Sequence, residues 1–400
     1  MLPYLNRALV LFRPTFYAPI RAFSSEKESS LSEGSSFETE PYKLHILEEG
    51  PSTSATVNKE DALKFYTQMS SIRRMENGAA TLYKAKIIRG FCHLYAGQEA
   101  VCVGIHSQLK TDLDSVITSY RAHGWTWIMG ETIASLLAEL AGKESGVSRG
   151  KGGSMHTYAP NFYGGNGIVG AHVPLGTGCA FAHKYTEKGA LNVCLYGDGA
   201  ANQGQVYEAW NIAKLWNLPV IYVCENNKYG MGTSTRRASA DDNFYKRVSY
   251  MPGIWVDGMD VLAVRECFRF ATKYVREGKG PIVVETSTYR YFGHSMSDPG
   301  TSYRSREEIQ ETRQTKDPIN KFKDKIVSAN LVTEDELKAI DAKLKQEVDE
   351  AMNKAKSDKE PAVDALTTDV YSQYPWALRG VGASLPSLPH KRVGKAINLK

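Results

Sequence analysis

The triplet Gly197-Asp198-Gly199, separated by 26 residues from Asn226-Asn227, constrains this chain more than any other feature. Ahead of the triplet, Leu191 to Tyr196 is apolar enough for a buried strand, and Pro219 to Cys224 ahead of the Asn pair reads the same way. Between them Ala209, Ile212, Ala213 and Leu215-Trp216 recur at helical spacing. Strand, helix and strand in about 30 residues is the length of a parallel crossover. Such a unit brings both strand ends to one sheet edge, where open α/β sheets bind ligands. Asp198 and Asn227 then converge from neighbouring strand ends, while Gly197 and Gly199 let the backbone approach a bulky anion.

One Asp and one Asn make an incomplete site for a hard cation. Magnesium takes about six oxygens and fills its shell with carbonyls, water and ligand phosphates. The constellation therefore implies a metal that bridges protein to a diphosphate.

The rest of the chain suits a large α/β unit. Its 400 residues are 42% apolar and 23% charged, enough to bury a sizeable core. The net charge of +5 is spread along the sequence, so no nucleic-acid partner is expected. Six cysteines contain no CxxC pair and read as reduced. The first 25 residues carry Arg7, Arg13 and Arg21 and no acid before Glu26, the composition of an organelle transit peptide. The longest apolar run there, Ala8 to Phe12, is too short to cross a bilayer, so no membrane partner is expected.

Residues 26–56 are expected to be a flexible N-terminal segment, with the Ser- and Glu-rich part over 25–40 disordered. Helices are predicted over 58–86, 98–109, 133–140 and 261–276, with strands at 115–120 and 282–286. Residues 145–178 are dense in Gly and read as one long functional loop. A second irregular stretch spans 292–304. Thr333 and Glu336 form a capping box that opens a helix to about Ser357. The domain is placed at 57–374, with an extended C-terminal arm over 375–400. Alternating strands and helices argue an α/β fold with a doubly wound parallel sheet, extended by helices at both ends.

The Gly-Asp-Gly and Asn-Asn pairing resembles the thiamine-diphosphate motif of the 2-oxo acid dehydrogenases. Further stretches carry the likeness from about Val57 to Tyr374: Arg89 to His93, Tyr120 to Gly124, Lys151 to His156, Gly164 to Gly170, and Tyr291 to Gly300. Together they resemble the family of alpha subunits of these enzymes, of the type that decarboxylates pyruvate and acylates lipoamide. The resemblance implies the sheet of the thiamine-diphosphate-binding type, with thiamine diphosphate and magnesium as cofactors. It places Asp198, Asn227 and the carbonyl of Tyr229 on the metal. Tyr120, Arg121, Gly199, Ala200 and His294 would hold the diphosphate, and Gly167 and Val169 the aminopyrimidine. Arg121 offers a planar donor fork for phosphate, and Gly199-Ala200 are expected to open a helix whose N–H groups face it. His294 and His123 are the implied catalytic groups, with His93 on the pyruvate side. His156 and His172 lie in the Gly-rich loop with a weaker claim.

The same resemblance implies partners. No Glu here matches the carboxylate these enzymes set against the aminopyrimidine; it would come from a beta subunit, in an assembly of two alpha and two beta chains. The lipoyl domain of the dihydrolipoyl acetyltransferase would take the acyl group. A kinase and phosphatase would act at Ser295, Ser302 and Ser234, and the location would be the mitochondrial matrix. Phe292 departs from relatives that carry His there, but His294 is retained, so no lost step is inferred. Two rival readings are an alpha subunit for a branched-chain 2-oxo acid or acetoin, and a non-catalytic regulatory subunit.

Overall fold

The computed structural model describes residues 34–369. The transit peptide at 1–25 and the arm at 375–400 lie outside the described residues. Three short strands come first: β1 (Ser35–Glu38), β2 (Lys43–His45) and β3 (Ser54–Val57). β1 and β3 pair antiparallel. The stretch read as flexible over 26–56, and as disordered over 25–40, is thus structured from Ser35 onward. Phe37, Tyr42 and Leu47 pack on the main core and anchor a segment whose composition is otherwise polar.

Asn58 caps α1 (Lys59–Lys84), accepting the Asp61 N–H at 2.8 Å. Then come α2 (Glu99–His106), β4 (Ser115–Ile117), α3 (His123–Ile128) and α4 (Ile133–Leu140). β4 is shorter than the strand predicted over 115–120, because Thr118 N–H turns to the carbonyl of Gly164, 3.1 Å away. The long loop is also shorter than predicted, since its end opens α5 (His172–Thr186). Pro174 and the glycines masked that helix. Gly176 sits where α5 crosses β5 (Asn192–Gly197), and a Cβ there would lie 2.8 Å from Cys194 Sγ. This glycine permits close helix–sheet packing and makes no turn.

The predicted crossover follows as α6 (Gly204–Leu215) and β6 (Val220–Asn226). α6 begins at Gly204, after a 3-10 turn at Ala200–Asn202, and not at Gly199-Ala200 as expected. Beyond it lie β7 (Tyr229–Gly230), β8 (Thr233–Ser234), α7 (Thr235–Ala238), β9 (Gly253–Asp257), α8 (Val261–Arg276) and β10 (Ile282–Ser287). Helices α9 (Arg306–Lys316), α10 (Pro318–Ser328) and α11 (Glu334–Ser357) complete the described chain, and α11 opens on the predicted capping box.

Six strands form one sheet in the order β2-β9-β10-β6-β5-β4. Five run parallel, and β2 adds an antiparallel edge. Strand residues alternate between two cores, as the pleat requires. Val193, Leu195, Ile221, Val223, Ile282 and Val284 meet residues of α1, α2 and α8 on one face. Cys194, Tyr196, Tyr222, Cys224 and Val283 meet Val173, Ala180, Val206, Ala209 and Trp210 of α5 and α6 on the other. The doubly wound arrangement is therefore present, with a mixed edge. All six cysteines are free, and no helix among the described residues is long and apolar enough to cross a membrane.

Candidate active site

Parallel register pairs Gly197 of β5 with Glu225 of β6, so both strands release the chain at the same level. Asp198 and Asn227 follow those neighbouring strand ends, and the Asn227 backbone N–H donates to Glu225 O at 3.0 Å. Burial raises the Asp198 carboxyl to about 6, against partial relief from backbone N–H groups and from Arg290 and Lys228. A divalent cation beside it would remove that cost. Asn227 Nδ2 donates to Gln98 Oε1 at 3.0 Å, and Asn227 Oδ1 accepts the Tyr229 N–H at 3.5 Å, a long bond that leaves the oxygen a free lone pair. Gln98 Nε2 donates in turn to Glu225 Oε1 at 3.3 Å, an oxygen that also accepts from Tyr95. Burial raises the Glu225 carboxyl to about 7.

Tyr229 follows in β7, between the left-handed residues Lys228 (φ 76°) and Met231 (φ 56°). This turn folds Gly230 over Gly199: a Cβ on Gly230 would lie 3.1 Å from Gly199 Cα and 3.8 Å from Asp198 Oδ2. The two glycines form a tight backbone cradle around the carboxylate. Buried Ala200 begins the 3-10 turn that leaves it.

Three rings close the site from other elements. His93, Tyr120 and His294 sit with centroids 4.6 Å (His93–Tyr120), 5.3 Å (His93–His294) and 5.3 Å (Tyr120–His294) apart. Arg121 is buried beneath them and spends part of its fork on protein: Nη1 donates to Leu94 O at 2.9 Å and Nη2 to His294 O at 2.6 Å. It therefore ties the His294 loop to the strand end and keeps its remaining N–H donors for a ligand. Burial, reinforced by Arg121 and Arg290, brings the His294 imidazole down to about 4; burial also depresses His93. Both rings are neutral near pH 7, and Nδ1 of each lacks a protein partner among the described residues.

His123 is not part of that group. It is fully buried, with Nδ1 2.8 Å from Glu76 Oε2 and Nε2 2.9 Å from Ser154 Oγ. Ser154 Oγ accepts the His93 backbone N–H at 3.1 Å. Both His123 nitrogens, expected to act directly, are thus engaged by protein groups, and the ring connects through Ser154 to the His93 backbone. The Gly-rich loop that carries Ser154 is held by one buried carboxylate. Glu139 accepts the N–H groups of Ser148, Gly150, Gly152 and Gly153 at 2.7–3.0 Å.

Gly167 and Val169 lie on the turn after Gly165, which packs against Ser119 O and Ala122 Cβ beside Tyr120-Arg121. Ile168 is 71% exposed and Val169 47%. His172 is fully buried at the start of α5.

The three serines differ in access. Ser295 is buried, its Oγ 2.7 Å from Ser297 Oγ; Ser302 is exposed; Ser234 is half-buried ahead of α7. Asp298 staples the loop of Ser295 and Ser302 by accepting from His294 N–H, Gly300 N–H and Tyr303 OH. Sequence reasoning missed Glu76, Gln98, Ser154, Glu225 and Arg290. A signal existed for two of them: Glu225 ends an apolar strand, and Glu76 shares the buried face of α1 with Met75 and Ala79.

A family model described as dehydrogenase E1 component matches residues 67–364. Among curated proteins, a probable mitochondrial pyruvate dehydrogenase E1 component subunit alpha of Caenorhabditis elegans is 60% identical over 340 residues, 85% of each chain. The mitochondrial type II subunit alpha of Ascaris suum is 56% identical over 362 residues, covering 90% of this chain and 92% of its own. The somatic mitochondrial subunit alpha of Homo sapiens is 56% identical over 339 residues, with 85% and 87% covered.

Proposed function

This chain belongs to the dehydrogenase E1 component family, and from that we infer the alpha subunit of a mitochondrial pyruvate dehydrogenase, dependent on thiamine diphosphate. It takes part in the oxidative decarboxylation of pyruvate and works in the mitochondrial matrix. The observation that carries the site assignment is the Asp198–Asn227 pair beneath the Gly199–Gly230 cradle, facing His93, Tyr120 and His294.

Asp198 Oδ and Asn227 Oδ1, with the Tyr229 carbonyl, are assigned to magnesium. The buried Asp198 carboxylate and the Gln98-locked amide fit that ion. Arg121, Tyr120, Gly199 and Ala200 are assigned to the diphosphate, and Gly167 and Val169 to the aminopyrimidine. When bound, thiamine diphosphate supplies the carbon centre that adds the ketone and stores the electron pair left by carbon dioxide. The chain's own groups orient and shield. His294 and His93, neutral near pH 7, offer Nδ1 to donate or take a proton beside the substrate. His123 holds the His93 backbone through Ser154.

A beta subunit, in a tetramer of two alpha and two beta chains, supplies the missing carboxylate. Two apolar regions support an extensive partner surface: Ile168 and Val169 beside the site, and Leu175, Phe181, Tyr185, Leu215 and Trp216 on α5 and at the end of α6. Leu215 and Trp216 recur at helical spacing without entering the core, as expected of a helix with a second apolar contact. The lipoyl domain of the acetyltransferase is assigned as acyl acceptor. A kinase and phosphatase are assigned to Ser295, Ser302 and Ser234.

The test co-expresses this chain with a beta subunit and measures carbon dioxide release from pyruvate and from 2-oxoisovalerate, with an Asp198→Ala control. Pyruvate preference that vanishes in the control, and no turnover by the chain alone, are expected. Turnover by the isolated chain, or an active Asp198→Ala complex, would overturn the assignment.

A further inference from the structure

Arg290 follows β10 between two buried tyrosines, Tyr289 and Tyr291, and is itself 1% exposed. Its Nη2 donates to Met231 O at 2.6 Å and to Tyr303 OH at 2.9 Å. Nε and Nη1 are buried and have no hydrogen-bond partner among the described residues. A sealed guanidinium with unused donors is costly to fold, and an anion in hydrogen-bonding reach removes the cost. The charge is placed for such a ligand, because it acts on Asp198, Tyr120, Arg121 and His294 together. Arg121 gives one N–H of each Nη atom to a carbonyl and so keeps only part of its fork for a ligand. The two buried cations repel one another unless something negative sits between them.

We propose that Arg290 is a second guanidinium for the site's phosphate-bearing ligand, contacting the diphosphate through Nε and Nη1 while Nη2 anchors the Met231 and Tyr303 turns. The inference rests on the function given above. A ligand with several anionic oxygens fits better than a single carboxylate, since two guanidiniums and the metal must be neutralised together. Arg290 thereby links ligand binding to loop order. Met231 belongs to the turn after the metal pair, and Tyr303 closes the loop that carries Ser295 by donating to Asp298 Oδ2.

The test uses the alpha–beta complex stripped of cofactor, with inorganic pyrophosphate and thiamine diphosphate as separate titrants in calorimetry with magnesium. Arg290→Gln is expected to weaken both by about 10- to 100-fold, the range for losing charge-assisted hydrogen bonds, and Arg290→Lys to recover part of the loss. The KM for pyruvate at saturating cofactor should stay the same. Tyr303→Phe removes the loop contact but keeps the charge, and should bind pyrophosphate like the parent.

Parent-like binding by Arg290→Gln would overturn the proposal. So would equal losses in Arg290→Gln and Tyr303→Phe, which would make Arg290 only a loop strut, or a rise confined to the pyruvate KM, which would make the carboxylate its ligand. Asp198→Ala separates the two readings. If it loses cofactor while Arg290→Gln does not, only this inference fails; if both bind cofactor normally, the assigned site fails as well.

Discussion

His123 Nδ1 stands 2.8 Å from Glu76 Oε2 with both groups sealed from solvent, so a carboxylate on α1 fixes the ring that supports His93 through Ser154. The other oxygen of Glu76 accepts the Tyr95 N–H at 2.7 Å. Glu76→Ala strands both donors and should lower stability by about 2–4 kcal/mol. Glu76→Gln keeps one acceptor and should lose less. Thermal unfolding of the pair, with the pyruvate KM as a readout of His93 placement, checks the order Ala worse than Gln.

Glu139 holds four backbone N–H groups of the Gly-rich loop with both of its oxygens. Replacing either oxygen by NH2 sets a donor against two donors. Glu139→Gln is therefore expected to be nearly as damaging as Glu139→Ala, each costing roughly 2–4 kcal/mol. Limited trypsin digestion at Arg149 and Lys151 should report the opened loop; a resistant Glu139→Gln loop would refute this.

His172 opens α5 fully buried, with Nε2–H donating to Leu195 O at 2.6 Å. Burial lowers its imidazole from 6.5 to about 4. The folded pKa lies below the unfolded one, so the unfolded chain binds the proton more readily. This contribution is complete above about pH 6.5 and fades as pH falls through 4, amounting to on the order of 3 kcal/mol. The positive end of the helix opposes the imidazolium too. His172→Gln can keep the donor without titrating, so its stability should fall less than the parent's between pH 6.5 and 4 in denaturant titrations.

Ser295 is buried beside His294, whereas Ser302 is exposed. A carboxylate at 295 must be desolvated or must push the stapled loop open, while one at 302 stays in water. Ser295→Glu should reduce pyruvate turnover by about tenfold or more, and Ser302→Glu by much less. Steady-state assays of the two complexes decide this. Equal losses would show that burial at 295 does not set the effect.

Much of the framework was legible because its signals are local. The capping box at Thr333 and the strand–helix–strand around Asp198 each depend on neighbours within a few turns of chain. The segment over 26–56 and α5 were misread for the opposite reason. Phe37 gains its partners from a distant core, and Gly176 exists to let a helix approach Cys194, so neither residue advertises its role locally.

The sequence alone determined the Asp198–Asn227 pairing and the family likeness, since these follow from residue type and spacing along two adjacent strands. Only the tertiary structure decided that His93, Tyr120 and His294 cluster, that Glu76 and Ser154 engage both nitrogens of His123, and that Arg290 is buried with donors to spare among the described residues. Those outcomes depend on which side chains from remote segments arrive within 3 Å, and on whether water is excluded when they do. Periodicity along one chain carries neither.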